Sequence, residues 1–314
     1  MNLETETRHG YTIPSSMKKV WAVQMELLNK LLEVCEKHQL KIWADGGTLL
    51  GTVREHGYIP WDDDIDMAML RDDYDKLISI AQKEFEAPYH FQSGYTEEKY
   101  PRGHAQLRKD GTAAINRYDI FQNFHQGIFI DVFVYDEVPD DKQELDSFIN
   151  QIDKNLKDLK LFCDYKFSFL HPLISIQNYL IYHSIDKKGF HNAFKNFDEL
   201  LKSKHGENVA CVGFTLELNR FQRKKTLYDK TIMMPFENIM MPVPIGYDTI
   251  LKTQYGDYMK PAKDSSYHGG FLVLDTEVSY EVYLPQLRIE EMQKRKKDVY
   301  MKLKNVFGQK KTNV

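Results

Sequence analysis

Long hydrophobic runs are missing from this chain of 314 residues, and no stretch approaches the apolar length needed to cross a bilayer. The richest segment, Leu161 to Tyr182, is broken by Asp164, Lys166, His171 and Pro172. Cysteine is scarce: Cys35, Cys163 and Cys211 lie far apart with no paired spacing. That spacing argues against a disulfide framework and reads as reduced, mostly buried thiols of a cytoplasmic protein. Excess positive charge is also absent, since 42 basic residues stand against 46 acidic ones for a net charge of −4. Nucleic acid, which leaves a basic footprint, is therefore not an expected partner. The opening MNLETETRHG is polar and acidic, unlike a secretory signal. There is no internal repeat and no low-complexity linker. What remains is the balance of a soluble globular protein, 42% hydrophobic and 28% charged, long enough to bury a substantial core.

Periodicity sketches the elements. Val20, Val23, Leu27, Leu28, Leu31, Val34 and Cys35 recur at helical spacing behind Pro14, with Ser15 or Ser16 expected as the N-cap. A short strand over 40–44 leads through the Gly46-Gly47 turn into a helix expected from about Thr48. Residues 65–70 alternate as a strand, and Asp72 is the expected cap of the following helix. Shorter strands are expected near 89–92, 104–108 and 113–116. GIFIDVFVY (127–135) is the strongest strand in the chain, bulky and β-branched. From Asp140 to about His205 helical patterns dominate, and their many aromatics are expected to be core. A strand pair from 233 precedes a helix from Tyr247. A basic amphipathic helix is expected from about Gln286 to Phe307, its charges a solvated face with weak affinity for anionic lipid as the alternative.

The chemistry concentrates in DDDID, where four aspartates fall at 62, 63, 64 and 66. Carboxylates this close repel one another unless a cation joins them. Alternation along an extended strand would put Asp62, Asp64 and Asp66 on one face and Asp63 on the other. Asp64 and Asp66 can then share a hard divalent ion, Mg²⁺ or Mn²⁺, of the kind that serves phosphoryl transfer. A D-x-D pattern alone is weak evidence, for Asp73-Tyr74-Asp75 is another and is expected to be helix surface. Two further features single out the first. The glycine turn upstream can present backbone N–H groups to a phosphate. Asp131 interrupts an otherwise apolar strand, where an uncompensated carboxylate would be costly and a third ligand is explained. Its bland alternative is the partner of an arginine.

Two acids on one strand, a third on a neighbouring strand and a glycine turn upstream make the constellation of the nucleotidyltransferase superfamily. DGGTLLGTVREHGYIPWDDDIDMAM closely resembles the LicD family, the phosphocholine transferases related to fukutin-related protein. GIFIDVFVYD around Asp131 and FENIMMPVPIGYDTILKTQYGDYMKP match as well, so the resemblance runs from about residue 20 to 261. It implies an α+β fold, a nucleotidyltransferase-like mixed β-sheet flanked by helices with a helical insertion. On this reading residues 1–285 form one catalytic domain that includes the helical segment at about 140–205, and 286–314 form the C-terminal helix.

The resemblance also implies an activity: transfer of phosphocholine, or a similar phospho-alcohol, from CDP-choline or another CDP-alcohol to a hydroxyl of a cell-surface glycan or its lipid-linked precursor. CMP is released. Asp64, Asp66 and Asp131 would be the catalytic and metal-binding acids, with Mg²⁺ or Mn²⁺ as cofactor, and Asp131 is also a candidate to take the acceptor proton. Gly46, Gly47 and Thr48 would cradle the diphosphate. Arg54 would reach an anionic oxygen or, alternatively, pair with Asp62 or Asp63. Arg108 or Lys109 would contact phosphate or cytidine. Asp257 matches the family pattern as a residue that caps or braces the site, and His268 lies where relatives often carry a histidine. The expected location is the cytoplasm, at the inner face of the membrane where the acceptor is lipid-linked. CDP-ribitol and CDP-glycerol stay open as donors. So does a glycosyltransferase that uses D-x-D to hold a nucleotide-sugar, though it leaves the glycine turn and Asp131 unexplained. A binding protein that keeps the fold without turnover is the non-enzymatic alternative.

Overall fold

The computed structural model describes residues 1–164, 172–213, 222–260 and 270–308, with side chains described as far as 297 and at 301. A hairpin of β1 (Glu6–Arg8) and β2 (Tyr11–Ile13) leads into helix α1 (Ser15–Lys37). The N-cap of α1 is Pro14 and makes no side-chain bond, so the serines expected to cap it sit inside the first turn. Strand β3 (Trp43–Ala44) is followed by α2 (Gly46–Arg54), which begins on the glycines themselves rather than at Thr48. Then come β4 (Asp66–Leu70) and α3 (Arg71–Glu84), capped by Leu70, with Asp72 in its first turn. Next are β5 (Tyr89–Gln92), β6 (Ala105–Lys109), β7 (Ala113–Asn116) and the long β8 (Phe129–Val138).

Three helices follow: α4 (Lys142–Asp164), α5 (Pro172–Lys188) and α6 (Phe190–Leu201). The chain continues through β9 (Asn208–Ala210), β10 (Arg223–Lys224), a hairpin of β11 (Thr231–Phe236) and β12 (Ile239–Pro244), and α7 (Tyr247–Tyr255). It closes with β13 (Phe271–Asp275), paired with β7, and α8 (Tyr280–Gly308). The C-terminal helix thus starts before Gln286, and its first turns bury Leu284 against Ala113 and Ile115.

Strand β8 is the spine of a mixed, open sheet, in an α+β fold. One edge pairs parallel with β4, while the other takes β6 along its first half and β9 along its second, both antiparallel. The pleat separates two faces. Ile130, Val132 and Val134 join Leu107, Met67 and Met69 against Trp21, Leu27, Leu28 and Leu31 of α1. The opposite face carries Asp131 and its neighbours. Over the far half of β8 lies the helical layer, whose core of Phe148, Phe162, Phe190, Phe194 and Phe197 also takes in Val138 and Ala210 of the sheet and Val212 just beyond β9. Phe162, Phe190, Phe194 and Phe197 are therefore core, as the pattern predicts, while Tyr179 is exposed and Tyr165, Phe167 and Phe169 lie outside the described residues.

Arg71 ties these layers together. It donates to Asp136 on β8 at 2.5 and 2.8 Å, to Asp75 at 3.1 Å and to Asp198 on α6 at 3.0 Å. Burial pushes Asp136 up although Arg71 pulls it down, so the carboxylate depends on its partner. The acids of the second D-x-D are in the same region, with Asp75 bonded to Arg71 and Lys202 and Asp73 bonded to Lys76. Removing one member of a buried ion pair leaves an uncompensated charge. Arg71→Ala is expected to lower the unfolding free energy by about 3–5 kcal/mol, read from urea denaturation.

Candidate active site

Backbone pairing assembles the acids. In the β4–β8 ladder Asp66 is the register partner of Asp131, and the Asp131 amide donates to the Ile65 carbonyl at 2.9 Å. Both strand side chains therefore rise from the same face. Residues 62–65 have no regular secondary structure and lie outside the strand, which starts at Asp66. Their backbone is held from α1, where Trp21 Nε1 donates to the Asp62 carbonyl at 2.9 Å and Gln24 Nε2 to that of Asp63 at 2.6 Å. Freed from the pleat, these acids do not keep to the expected faces. Carboxylate oxygens of Asp62, Asp63 and Asp64 all lie within 4.8 Å of one another, so Asp63 belongs to the cluster rather than to the other side.

The glycine turn meets the acids directly. Gly46 has φ +50°, and a Cβ there would stand 2.9 Å from Asp66 Oδ2. A Cβ on Gly47 would stand 2.7 Å from Asp62 Oδ2. Only glycine lets carboxylates approach the first turn of α2 this closely, where the helix dipole favours negative charge. Thr48 Oγ1 accepts the Asp66 amide at 2.9 Å, fixing the start of β4 to the same turn. Asp45, the residue before it, is held by Tyr135 Oη and Arg223 Nη1, each at 2.7 Å. Arg223 also bonds Tyr228 Oη at 2.7 Å and Gln254 of α7 at 3.0 Å.

Charge repulsion is visible in the titration of the cluster. Burial, then Asp64, Asp131, Asp62 and Asp45, raise Asp66 well above the ordinary carboxylate range. Asp62 is raised by burial and by Asp64 and Asp63. Asp131 behaves differently. Burial pushes it up, but His104 at 3.1 Å and Gln106 Nε2 at 2.7 Å outweigh this and hold it below the usual value. Behind Gln106 stands Arg108, which donates to its Oε1 at 2.5 Å, to Gln92 Oε1 at 2.5 Å and to the Gly127 carbonyl at 2.7 Å. Burial lowers Arg108 to about 10, which leaves it cationic at neutral pH.

Asp64, Asp66 and Asp131 open together on a cavity of about 480 Å³, along with Arg102, His104 and Lys160. Three phenylalanines, Phe129, Phe133 and Phe271, also line it. An all-oxygen donor set in which neighbouring carboxylates raise Asp66 suits a hard divalent ion, so the residues present fit Mg²⁺ or Mn²⁺.

Other expected site residues lie elsewhere. Lys109 points to the α1 face of the sheet, where it pairs with Glu26 and lies over Tyr89, because the pleat turns it away from Arg108. Arg54 neither reaches the cavity nor pairs with Asp62 or Asp63. It donates to Glu55 at 2.6 Å and to the Tyr258 carbonyl at 3.1 Å. Asp257 is exposed and paired with Lys260 at 2.6 Å. His268 lies outside the described residues. The sequence reading passed over His104, Gln106, Asp45 and Arg223. For the first two a signal was present, since His104, Gln106 and Arg108 form a polar stripe of period two through an otherwise apolar strand.

Acids on adjacent parallel strands thus stand beside a glycine-started helix in a mixed sheet. Residues 39–177 match the family described as LicD/FKTN/FKRP, nucleotidyltransferase domain. Over this segment the chain is similar to the LicD family. It is 25% identical over 260 residues to the lipopolysaccharide cholinephosphotransferase LicD of Haemophilus influenzae, covering 81% of this chain and 96% of that protein. It is also 29% identical over 115 residues to an uncharacterised protein of Rickettsia prowazekii, covering 37% of this chain and 40% of that one.

The raised Asp66 gives a signed pH prediction. Its folded-state pKa lies above the unfolded value, so the native state binds the extra proton and the fold loses stability as pH rises through that window. Asp66→Asn is therefore expected to raise the thermal midpoint of the metal-free protein by about 1–3 °C at neutral pH, with the gain fading towards about pH 5. Scanning fluorimetry in chelator across pH checks this. Added Mn²⁺ should raise the wild-type midpoint and leave that of the variant almost unmoved.

Proposed function

We propose that this chain transfers a phospho-alcohol, phosphocholine in the first instance, from a CDP-alcohol to a hydroxyl of a cell-surface glycan or its lipid-linked precursor. The observation that carries the reading is the single cavity on which Asp64, Asp66 and Asp131 open together with Arg102 and Lys160. Carboxylates to hold a divalent ion and cations to hold phosphate are the two charges that transfer from a nucleoside diphosphate donor requires. Asp64, Asp66 and Asp131 would hold Mg²⁺ or Mn²⁺. When bound, that ion neutralises charge on the diphosphate and on the departing phosphate.

The acceptor oxygen forms a new bond to the phosphorus bearing the alcohol as its hydroxyl proton passes to solvent, and the bond from that phosphorus to the bridging oxygen breaks, so that oxygen leaves with CMP. Asp131, held ionised by His104 and Gln106, suits a metal ligand better than a proton acceptor. Arg102, which shares Asp119 at 2.7 Å, and Lys160 would steady the donor phosphates. The aromatic lining of the cavity, Phe133 and Phe271 beside a Phe129 whose ring already carries Arg108, would suit a quaternary ammonium and so favours choline over the polyhydroxy donors ribitol and glycerol. Resemblance to the Haemophilus influenzae enzyme supports the same headgroup and a lipopolysaccharide-type acceptor. Action at the cytoplasmic side of the membrane is part of the proposal; among the described residues no helix is long and apolar enough to cross a bilayer.

The test is incubation of purified protein with Mg²⁺ or Mn²⁺, a panel of CDP-alcohols and cell-envelope glycan, with CMP and modified glycan as products. Asp64→Asn and Asp131→Asn are each expected to lower turnover by about 10³-fold or more with the fold retained. Full turnover in both variants would refute the site. Release of UDP or GDP from a sugar nucleotide, with CDP-alcohols untouched, would refute the reaction.

A further inference from the structure

Helix α5 presents an apolar face to solvent. Its inner side packs on α4 and α6 through Ile185, with Ile181 and Tyr182 partly buried. On the other side Leu173, Ile176 and Leu180 are 81%, 53% and 63% exposed. At 3.6 residues per turn these three form one outward stripe, with Tyr179 on its flank. Isolated exposed leucines are ordinary, but a contiguous stripe on one helix marks a surface that something covers.

The surrounding charge points to the occupant. Lys187 and Lys188 close α5, and Lys187 continues the line of the stripe. The outer side of the adjoining α4 carries exposed Lys154, Lys157 and Lys160. None of these five lysines forms an ion pair with a described residue, whereas Lys202, Lys204 and Lys225, at the sheet margin, are each paired with an acid. Asp186 is the one acid of α5, and it lies about a third of a turn off the stripe. On α4 the lysines are interspersed with Asp146, Asp153 and Asp158, and Lys154 acts on Asp158 without forming an ion pair. Apolar side chains, an aromatic at their border and lysines outside any ion pair with a described residue are the chemistry of a helix lying in the interface of an anionic bilayer.

We propose that α5 and the outer side of α4 dock this protein on an anionic lipid surface. Leu173, Ile176 and Leu180 enter the acyl boundary while Lys154, Lys157, Lys187 and Lys188 meet lipid phosphates. The same layer reaches the active-site cavity, because Leu156 and Lys160 of α4 line it. Docking therefore sets the cavity beside the membrane. The inference deepens the proposed function by giving a lipid-linked acceptor a route of approach. Its test uses no turnover, so it can fail without the transfer reaction failing, and the reverse.

The full chain is sedimented with vesicles of phosphatidylcholine alone or mixed with phosphatidylglycerol, at low and high salt. The wild type is expected to partition about tenfold or more in favour of the anionic vesicles at low salt, and to be released by salt. The combined variant Leu173→Ser, Ile176→Ser, Leu180→Ser is expected to lose about tenfold or more in partition with an unchanged thermal midpoint. The combined variant Lys154→Glu, Lys157→Glu, Lys187→Glu is expected to lose the preference for anionic vesicles. Wild-type protein that stays in the supernatant at low salt, or a serine variant that sediments like wild type, overturns the proposal. So does light scattering that finds a wild-type dimer broken by the serine variant, since a second copy would then cover the stripe.

Discussion

The in-register parallel pairing of Asp66 with Asp131 is the constraint on which the site depends. Two carboxylates on neighbouring strands, in register and on one face, cannot move apart without breaking the ladder that carries them. The sheet thus converts backbone hydrogen bonds into held charge repulsion. Apolar residues at 130, 132 and 134 supply the counterweight, because their burial against α1 leaves strand β8 no freedom to slip: a shift of one residue would turn Asp131 into the core. Stability comes from one face of the strand and chemistry from the other.

Two acids of the cluster resist ionisation while one is kept ionised, and the difference lies in their neighbours. Asp62 and Asp66 face other carboxylates, whereas Asp131 accepts from Gln106 and meets His104. Arg108 sits one residue pair behind and never touches Asp131. Through Gln106 it turns an amide so that the N–H points at the carboxylate and the carbonyl points at the guanidinium. A side chain expected to contact substrate, and one that does line the cavity, is thereby also a brace for a proposed metal ligand. An amide flip would present oxygen to oxygen at Asp131, and the guanidinium prevents it.

Much of this was legible in the sequence because it is local. The apolar alternation of 128–134 located β8, and the lone acid within it identified Asp131 as a residue that needed a reason. The glycine pair, the acid run and the aromatic helices were legible for the same cause. Contacts that close over long sequence distances were not. Nothing in the spacing of Asp45 and Arg223 shows that they form an ion pair, nor that α7 supplies Gln254 to it. Lys109 and Arg108 are adjacent, so composition alone could not say which would face the cavity; the pleat decides. The helix boundary failed for a different reason. A glycine pair reads as a turn, yet it starts α2 because side-chain atoms there would collide with Asp62 and Asp66.

That collision changes where a diphosphate donor would find its positive charge. A glycine-led helix start ordinarily offers free N–H groups to phosphate, but here the carboxylates of Asp62 and Asp66 lie against that turn. A second anion in the same place would add to a repulsion that already raises both acids. On the proposed reading the donor phosphates would then be met by an ion held on the acids and by the cations of the remaining lining, Arg102, Arg108 and Lys160. Arg102 comes from the segment just ahead of β6 and Lys160 from the helical layer. The helical layer is therefore more than a covering for the sheet, since its Lys160 adds a cation to the Arg108 that β6 brings to the same cavity.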